Sequence, residues 1–297
     1  MNKIIINNKY MRTTKCLMAA VMVLLVAACS DENEFENVYL PDEGEIQLVM
    51  LHPNQTRATE TSFEENDSIG VYVTAADAEL QLAGNEVNNE LFTYNGISWT
   101  SKRKVYWNTG VHNVYAFYPY SKFVNDVENH NFAVSPDQST YNGYTRSDFL
   151  WASANGVEGT DEPVTMHFSH KMSNVVVTLE KGENFDGEVP EDAEVYILST
   201  VNESLVDLAT GDVCKNDYAP TTSIKCRKID NTTFQAIVVP QSLTSRCPLV
   251  EVIIGNVSYL VEGKMSYRQG IRHNITVTLD KNPEKIEIEI GGEITGW

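Results

Sequence analysis

Short runs of alternating apolar and polar residues occupy most of the sequence after residue 44. Two clear examples are Glu45 to Leu51 and Ile286-Glu287-Ile288-Glu289-Ile290. A period of two places the apolar side chains on one face of a β-strand. We find no long stretch of helical periodicity after Cys29. Many short strands separated by turn residues are typical of β-sandwiches, so the sequence predicts an all-β fold of stacked antiparallel sheets.

Two dipeptides predict where strands reverse direction. Asn95-Gly96 separates two strand candidates, and this dipeptide favours a two-residue type I′ turn because both central residues need positive φ. Gly255-Asn256 similarly joins Leu249–Ile254 to Val257–Val261. The sequence therefore predicts a tight hairpin at each position.

The aromatic-rich segment from His112 to Tyr118 predicts a strand that is covered on both sides. Its alternation places Val114, Ala116 and Tyr118 on one face and Tyr115 and Phe117 on the other. Such a strand lies between a core and a covering layer, which favours core packing over a sugar-stacking platform.

The strand pattern weakens between Tyr120 and Pro163, where Gly, Asn, Ser and Asp are scattered. A chain of 297 residues is long enough for two ordinary domains. We therefore place a domain boundary in this segment, with an N-terminal sandwich at residues 45–163 and a C-terminal sandwich at residues 164–297.

The first thirty residues predict a targeting segment. Basic residues up to Lys15 precede an apolar run from Leu17 to Ala28, which is 12 residues and shorter than the roughly 20 that a membrane-spanning helix requires. Residues 1–28 are therefore predicted to be a signal peptide. Met11 is an alternative start, with residues 1–10 as an extension.

The end of the apolar run, Leu25-Val26-Ala27-Ala28-Cys29, resembles the lipobox of bacterial lipoproteins. The resemblance implies cleavage between Ala28 and Cys29 and acylation of Cys29, and several acyl chains give stable membrane anchoring. Residues 29–44 are acidic with few large apolar residues, as expected of a lipid-anchored tether. The acidic cluster after Cys29 also resembles a surface-export signal of Bacteroides-type lipoproteins, with an ordinary solvated linker as the equal alternative.

The charge of the chain argues against nucleic acid as a partner. The formal net charge is −19, and loss of the four basic residues in the predicted signal peptide leaves 18 basic against 41 acidic side chains, or −23. Such a surface repels phosphate backbones. Three cysteines remain in the predicted mature domains, Cys214, Cys226 and Cys247, so at most one internal disulfide can form, and the sequence leaves its existence open.

The sequence contains none of the common catalytic or phosphate-binding motifs, and we expect neither an enzyme nor a bound cofactor. His167 and His170 are three apart, so on a strand they point to opposite faces and converge on a metal only if the chain turns there. We interpret them as two ordinary histidines beside a turn, and no metal site is predicted.

Several segments together resemble the fimbrillin family of Bacteroides-type bacteria, whose members build or cap type V surface pili. The matching segments follow one another along the chain: the lipobox at Cys29, Asp67 to Tyr72, Trp107, Tyr115 to Tyr120, Asp148 to Ala152, Val164 to Ser173, Gly270 to Val277 and Ile294 to Trp297. The resemblance implies two tandem transthyretin-like antiparallel β-sandwich domains.

The resemblance also implies a mode of assembly. Pilins of this family are exported as lipoproteins and cut after an Arg in an early loop by a trypsin-like or gingipain-like protease. Arg57, which precedes Ala58, matches that position, with an uncut loop arginine as the alternative. The cut releases the first strand, in which Ile46, Leu48 and Met50 share one face, and the groove so opened accepts a strand from another subunit.

Residues 286–290 form the candidate donor strand, with apolar side chains on one face. A plain edge strand that closes the second domain has the same pattern, and the sequence does not separate the two. Anchor subunits of the family stay lipidated and uncut, and tip subunits often carry a further domain. The position of this chain within a pilus is therefore open.

We interpret the chain as a structural pilus subunit at the outer membrane and cell surface, assembled by strand exchange with other subunits and mediating adhesion to an unidentified ligand. The first alternative is a surface glycan-binding lipoprotein of a nutrient-uptake system, which needs several exposed aromatics on one platform. The second is a secreted hydrolase, which needs a polar pocket with perturbed carboxylates.

Overall fold

A computed structural model describes residues 41–53, 62–283, 287–290 and 295–296 of the chain. The predicted signal peptide, Cys29 and the predicted cleavage site between Arg57 and Ala58 lie outside these residues. The fold of the described residues is nearly all β, which confirms the predicted class. Among them, no helix is both long and apolar enough to span a membrane.

Short strands follow one another along the chain, as the period-two pattern predicts. The first half contains β1 (Leu48–Leu51), β2 (Ser68–Ala75), β3 (Val87–Tyr94), β4 (Trp99–Ser101), β5 (Val111–Tyr118), β6 (His130–Ala133), a short helix α1 (Tyr141–Thr145), β7 (Leu150–Glu158), β8 (Val164–His167) and β9 (Ser169–His170).

The second half is built in the same way. It contains β10 (Ser173–Lys181), β11 (Glu194–Val201), β12 (Glu203–Val206), β13 (Val213–Lys215), β14 (Thr221–Lys225), β15 (Arg227–Lys228), β16 (Thr233–Val238), β17 (Gln241–Ile254), β18 (Val257–Tyr267), β19 (Ile271–Leu279), β20 (Glu287–Ile290) and β21 (Thr295–Gly296).

These strands form layered sheets. A six-stranded sheet has the order β4-β3-β2-β5-β7-β9, and a two-stranded sheet pairs β1 with β8. The second half supplies the order β15-β16-β10-β19-β20, with β21 also on β19, and the order β14-β11-β17-β18. A small sheet, β13-β12-β6, joins a strand from the first half to two from the second.

The six-stranded sheet separates two buried clusters. We call the smaller one the groove cluster; it contains Ile46, Leu48, Met50, Ile69, Val71, Val73, Val87, Phe92, Val105, Val114, Ala116, Leu150, Ala152, Met166 and Phe168. The larger one, the central cluster, includes Tyr72, Phe117 and Phe149 and extends through the second half. Strand β5 therefore has a core on each face, as its alternation predicts.

The segment between Tyr120 and Pro163 is more regular than predicted. Strand β7 lies inside the six-stranded sheet, paired with β5 along Val111–Tyr118. The small side chains of Ala152 and Ala154 explain why its buried face is inconspicuous in the sequence. The prediction of an irregular boundary segment was wrong in this part.

Residues 164–170, which the sequence assigned to the second sandwich, pair with the first half of the chain. Strand β8 pairs with β1, and β9 pairs with β7. Residues 42–297 form one compact unit by their contacts. The division into two sandwiches at residues 45–163 and 164–297 stays a prediction.

Both predicted hairpins are present. Ile254 pairs with Val257 across Gly255-Asn256, a two-residue turn with Gly255 at φ +59°. At Asn95-Gly96 the flanking pair is Tyr94 with Trp99, so the turn is longer than predicted. The reason is that the Asn95 side chain accepts hydrogen bonds from the backbone N–H groups of residues 97 and 98 and closes a wider loop.

Candidate functional site

The first strand fills an apolar groove with alternate side chains. Ile46, Leu48 and Met50 are 4%, 5% and 7% exposed and belong to the groove cluster, whereas Val49 between them is 43% exposed. One face of the strand is thus buried and the other faces solvent, as the sequence predicts. We call the space that residues 44–51 occupy the first-strand groove.

Two backbone segments border this groove. At the start, Ile46 N donates to Val105 O at 2.9 Å and Trp107 N donates to Gly44 O at 3.0 Å. Farther along, β1 runs parallel to β8, from Leu48 opposite Val164 to Leu51 opposite His167. Between Glu45 and Tyr106 there is only an isolated antiparallel bridge. Apart from this bridge, the first strand is held by one short parallel ladder, a pairing slightly weaker per residue than an antiparallel one.

Aromatic rings pack at the end of the groove where β1 ends, before the predicted loop of residues 54–61. Phe63, just after that loop, lies with its ring centroid 4.9 Å from Trp99, 5.4 Å from Phe168 and 5.9 Å from Tyr118. His52, just before the loop, packs its ring edge-on to Phe63 at 5.2 Å. The residues that flank the predicted loop, His52 and Phe63, thus pack in one aromatic cluster.

His52 also faces a second histidine. Its ring centroid lies 5.6 Å from that of His170, whose Nδ1 is 2.9 Å from the Asp148 carboxylate. Burial, and then the charge of His170, lower the pKa of His52 to about 4, although Asp148 opposes the shift. Within the described ranges, no group of three or more His, Cys, Asp or Glu side chains is arranged to hold a metal ion.

Acidification should loosen this end of the first strand. The pKa of His52 is about 4 when docked, against 6.5 ordinarily, so the detached strand binds more protons between these values. The stabilisation is complete above pH 6.5 and is lost as pH falls towards 4. Because the ring is partly exposed, we expect a loss of about 2 kcal/mol for docking of the strand end.

Hydrogen exchange of the β1 amides between pH 7 and pH 4.5, corrected for intrinsic rates, measures this loss. His52→Gln, which carries no titrating group, is the matched comparison. We expect the protection of β1 in the variant to depend much less on pH. Equal pH profiles for the two chains would contradict the assignment to His52.

The opposite end of the groove carries charge. Lys104 Nζ lies 2.9 Å from Asp42 Oδ2 and 3.1 Å from Glu45 Oε2, and Tyr106 Oη donates to Asp42 Oδ2 at 2.8 Å. The hydrogen bonds from Lys104 and Tyr106 hold the pKa of Asp42 below its ordinary value. The two carboxylates, Asp42 first, raise the pKa of Lys104. Asp42 and Glu45 belong to the first segment, and Lys104 and Tyr106 belong to the chain beyond the loop.

The candidate donor strand lies elsewhere, on the sheet of the second half. Strand β20 is antiparallel to β19, with Ile290 opposite Ile275 and Ile288 opposite Val277. Ile288 packs against the central cluster, but Ile290 is 40% exposed and both glutamates are exposed. Within its own chain, β20 is thus an edge strand. Its donation to another subunit stays a prediction.

Other predicted features have plain outcomes. Cys214, Cys226 and Cys247 are free thiols, and burial raises the pKa of Cys226. His167 is exposed, whereas His170 is buried and lies beside the Asp148 carboxylate. Two fully buried aromatics, Tyr72 and Phe117, stack inside the central cluster with ring centroids 6.5 Å apart.

Sequence reasoning missed the residues that hold the two ends of the first strand. His52, Phe63 and Lys104 stand outside the alternating patterns, and only the fold brings them to the groove. These three residues lie in short segments beside predicted strands, and those segments contain no recognisable motif.

The layered sheets, with the first strand buried along an apolar groove, define a class of all-β, sandwich-like proteins. Within that class, a sequence model described as fimbrillin-like matches residues 56–297. The chain belongs to the fimbrillin-like family.

Two curated relatives support this membership. The chain is 28% identical over 196 residues to a candidate fimbrium tip subunit of Bacteroides ovatus, covering 57% of this chain and 36% of that protein. It therefore spans about a third of that relative. A candidate fimbrium subunit of Bacteroides uniformis is 22% identical, with 97% of this chain and 96% of that protein covered.

Solved structures share the fold. A candidate cell adhesion protein from Bacteroides ovatus matches 87% of this chain and 99% of its own length, with a TM-score of 0.69 and 22% identity. A second, from Bacteroides uniformis, covers 87% of this chain with a TM-score of 0.66 and 20% identity.

Proposed function

We propose that this protein is a subunit of a cell-surface fimbrium that acts in adhesion, and that its first-strand groove is the site of assembly. In the proposal, a trypsin-like protease cuts between Arg57 and Ala58, the first strand leaves, and an extended strand of another subunit fills the groove. The observation that carries the proposal is the burial of Ile46, Leu48 and Met50 along one face of a strand that directly precedes the loop containing Arg57.

The energetics favour refilling of an emptied groove. Burying one such apolar side chain stabilises by about 1.5–3 kcal/mol, so loss of all three exposes a surface worth roughly 5–9 kcal/mol. Departure of the strand also leaves the β8 edge and the Val105 carbonyl without their backbone partners. An apolar groove with an unpaired edge is a template for strand addition.

The C-terminal strand has the pattern that the groove requires. Ile286, Ile288 and Ile290 repeat every second residue, as Ile46, Leu48 and Met50 do. Within its own chain, β20 pairs with β19 and exposes most of its side chains. These features support its transfer to another subunit at a modest cost.

The N-terminal segment supports a surface location. The proposed lipoprotein is cut between Ala28 and Cys29 and held at the outer membrane by acyl chains on Cys29, with residues 29–44 as a tether. Cleavage after Arg57, followed by departure of the first strand, then releases the subunit from its anchor. The family consists of structural fimbrial proteins and is not a class of enzymes.

Limited trypsin digestion of a chain that begins at Ser30 tests the proposal. We expect one early cut after Arg57 by intact mass, followed by a ladder of oligomers of the 58–297 product on native electrophoresis. Arg57→Ala should resist this cut and stay monomeric. A trimmed product that stays monomeric, or an equal ladder from the Arg57→Ala chain, would overturn the strand-exchange mechanism and favour an anchor subunit or a glycan-binding protein.

A second pair of variants tests the donor. Ile288→Glu places a charge on the apolar face of β20 and should allow the cut while abolishing the ladder. Glu289→Gln changes the adjacent exposed residue and should assemble like the unaltered chain. If Ile288→Glu still forms the ladder, residues 286–290 are not the donor.

A further inference from the structure

At the charged end of the first-strand groove, residues before the proposed cut contact residues after it. The segment before the cut would leave with the first strand, and the segment after it would be retained. Asp42, Gly44, Glu45 and Gln47 lie on the leaving side. Two backbone segments of the retained chain, around Lys104 and around Asp161, hold them. The predicted cleavage site follows the opposite, C-terminal end of the first strand in the sequence.

Besides the ion pairs of Lys104, hydrogen bonds fix this end. Gly44 N donates to Asp161 Oδ1 at 2.7 Å, and Gln47 Nε2 donates to Asp161 O at 2.8 Å. Asp42 N donates to Glu45 Oε2 at 2.9 Å, so the same carboxylate oxygen that faces Lys104 also closes a turn in the leaving segment. Glu45 therefore couples the local conformation of this segment to the retained lysine.

The three charged side chains differ in exposure, and exposure determines how strongly salt screens each of them. The Glu45 side chain is 5% exposed, whereas those of Lys104 and Asp42 are 39% and 57% exposed. A nearly buried carboxylate that loses its cation is left with an uncompensated charge. The exposed pair, in contrast, is screened by dissolved salt.

We propose that Lys104, with Asp42 and Glu45, is an electrostatic latch that keeps the first strand in its groove after the chain has been cut; this rests on the proposed function. Cleavage of the loop cuts the covalent link at one end and leaves the latch at the other end intact. The cut chain then keeps its own strand until the latch opens. Release of the first strand is then a step separate from proteolysis. The groove can accept a strand from another subunit only after this release.

The latch is tested with a chain whose loop, residues 54–61, is replaced by the recognition site of a protease that cuts nowhere else in the protein. After complete cleavage, native mass spectrometry follows the fraction of molecules that still hold the N-terminal fragment. The measurement is repeated from about 0.01 M to about 1 M salt, which shortens the Debye length from about 30 Å to about 3 Å. It requires no assembly and no cut at Arg57.

We expect the unaltered cut chain to release its fragment faster as salt is added. Lys104→Met keeps the aliphatic stem, removes the charge and should release the fragment about tenfold faster at low salt, with little further response to salt. Lys102→Met makes the same change two residues away, at an exposed position, and should behave like the unaltered chain. Glu45→Gln should shift release in the same direction as Lys104→Met, and thermal melting of the uncut variants confirms that each is folded.

The outcomes separate the latch from the proposed function. Equal release rates for Lys104→Met and the unaltered chain, or equal acceleration by Lys102→Met, would overturn the latch and leave strand exchange intact. A fragment that stays bound indefinitely in every variant would overturn both, since the first strand would then not be freed by a cut.

Discussion

Replacing Leu48 by Glu should free the first strand without any cut. Leu48 is 5% exposed in the groove cluster, so the variant loses the burial of a leucine, about 1.5–3 kcal/mol, and places a carboxylate in an apolar space. We expect docking of the strand to weaken by about 3 kcal/mol or more, which is a more than hundredfold rise in the detached fraction. Hydrogen exchange of the β1 and β8 amides measures it directly.

Val49→Glu is the matched control, because it makes a similar change on the same strand at a side chain that is 43% exposed. We expect it to change docking by less than about 0.5 kcal/mol. If the proposed function holds, uncut Leu48→Glu also forms oligomers that the control lacks. Equal amide protection in the two variants would show that the buried face of β1 does not hold the strand.

Gly70→Ala should strongly destabilise the whole molecule. Gly70 is the cross-strand partner of Phe117, and a Cβ at this position overlaps the Phe117 ring and comes within 2.5 Å of Asn89 Oδ1. The ring has no free space to enter, because Phe117 is 1% exposed and stacks on Phe149 at 6.1 Å. We expect a loss of about 3 kcal/mol in the free energy of unfolding and a fall of about 10 °C in melting temperature.

The same substitution in a Phe117→Leu background isolates the cause. Leucine removes the ring atoms that the new Cβ meets. In that background, Gly70→Ala should therefore lower the free energy of unfolding by less than about 1 kcal/mol. Chemical denaturation of the four chains in this cycle gives the coupling. An equal cost in both backgrounds would mean that contact with Asn89 Oδ1, rather than contact with the ring, excludes alanine.

The sequence predicted the strands whose large apolar residues alternate. Strand β5 shows this, since its two faces enter the groove and central clusters as its pattern indicates. Strand β7 was missed because alanines form part of its buried face and polar residues continue its pattern. Local alternation identifies a strand only where the side chains are large enough to mark the buried face.

Pairing between distant segments is a second limit. The parallel register of Leu48 with Val164 depends on the arrangement of whole sheets and leaves no trace in either segment alone. Buried polar residues are equally hard to predict from the sequence. Gln138 is fully buried, donates to Ile237 O and accepts from Ile237 N, although nothing in its sequence context marks it as core.

The candidate site was predictable in part. The alternating face of the first strand was found from the sequence, and the structure shows where Ile46, Leu48 and Met50 are buried. Arg57 and Cys29 lie outside the described residues and stay predictions. Lys104 was not found, because its role depends on two carboxylates that lie far away in sequence.

The pairing of the first strand with a strand far along the chain has a consequence for timing. During synthesis β1 appears long before β8, so the groove closes only late in folding, when this non-local contact forms. In the proposed mechanism, an uncut chain holds its first strand at a high effective concentration, and a strand from another subunit competes with it at a much lower concentration. Under that mechanism, a single cut would convert an intramolecular equilibrium into one that depends on the concentration of other subunits.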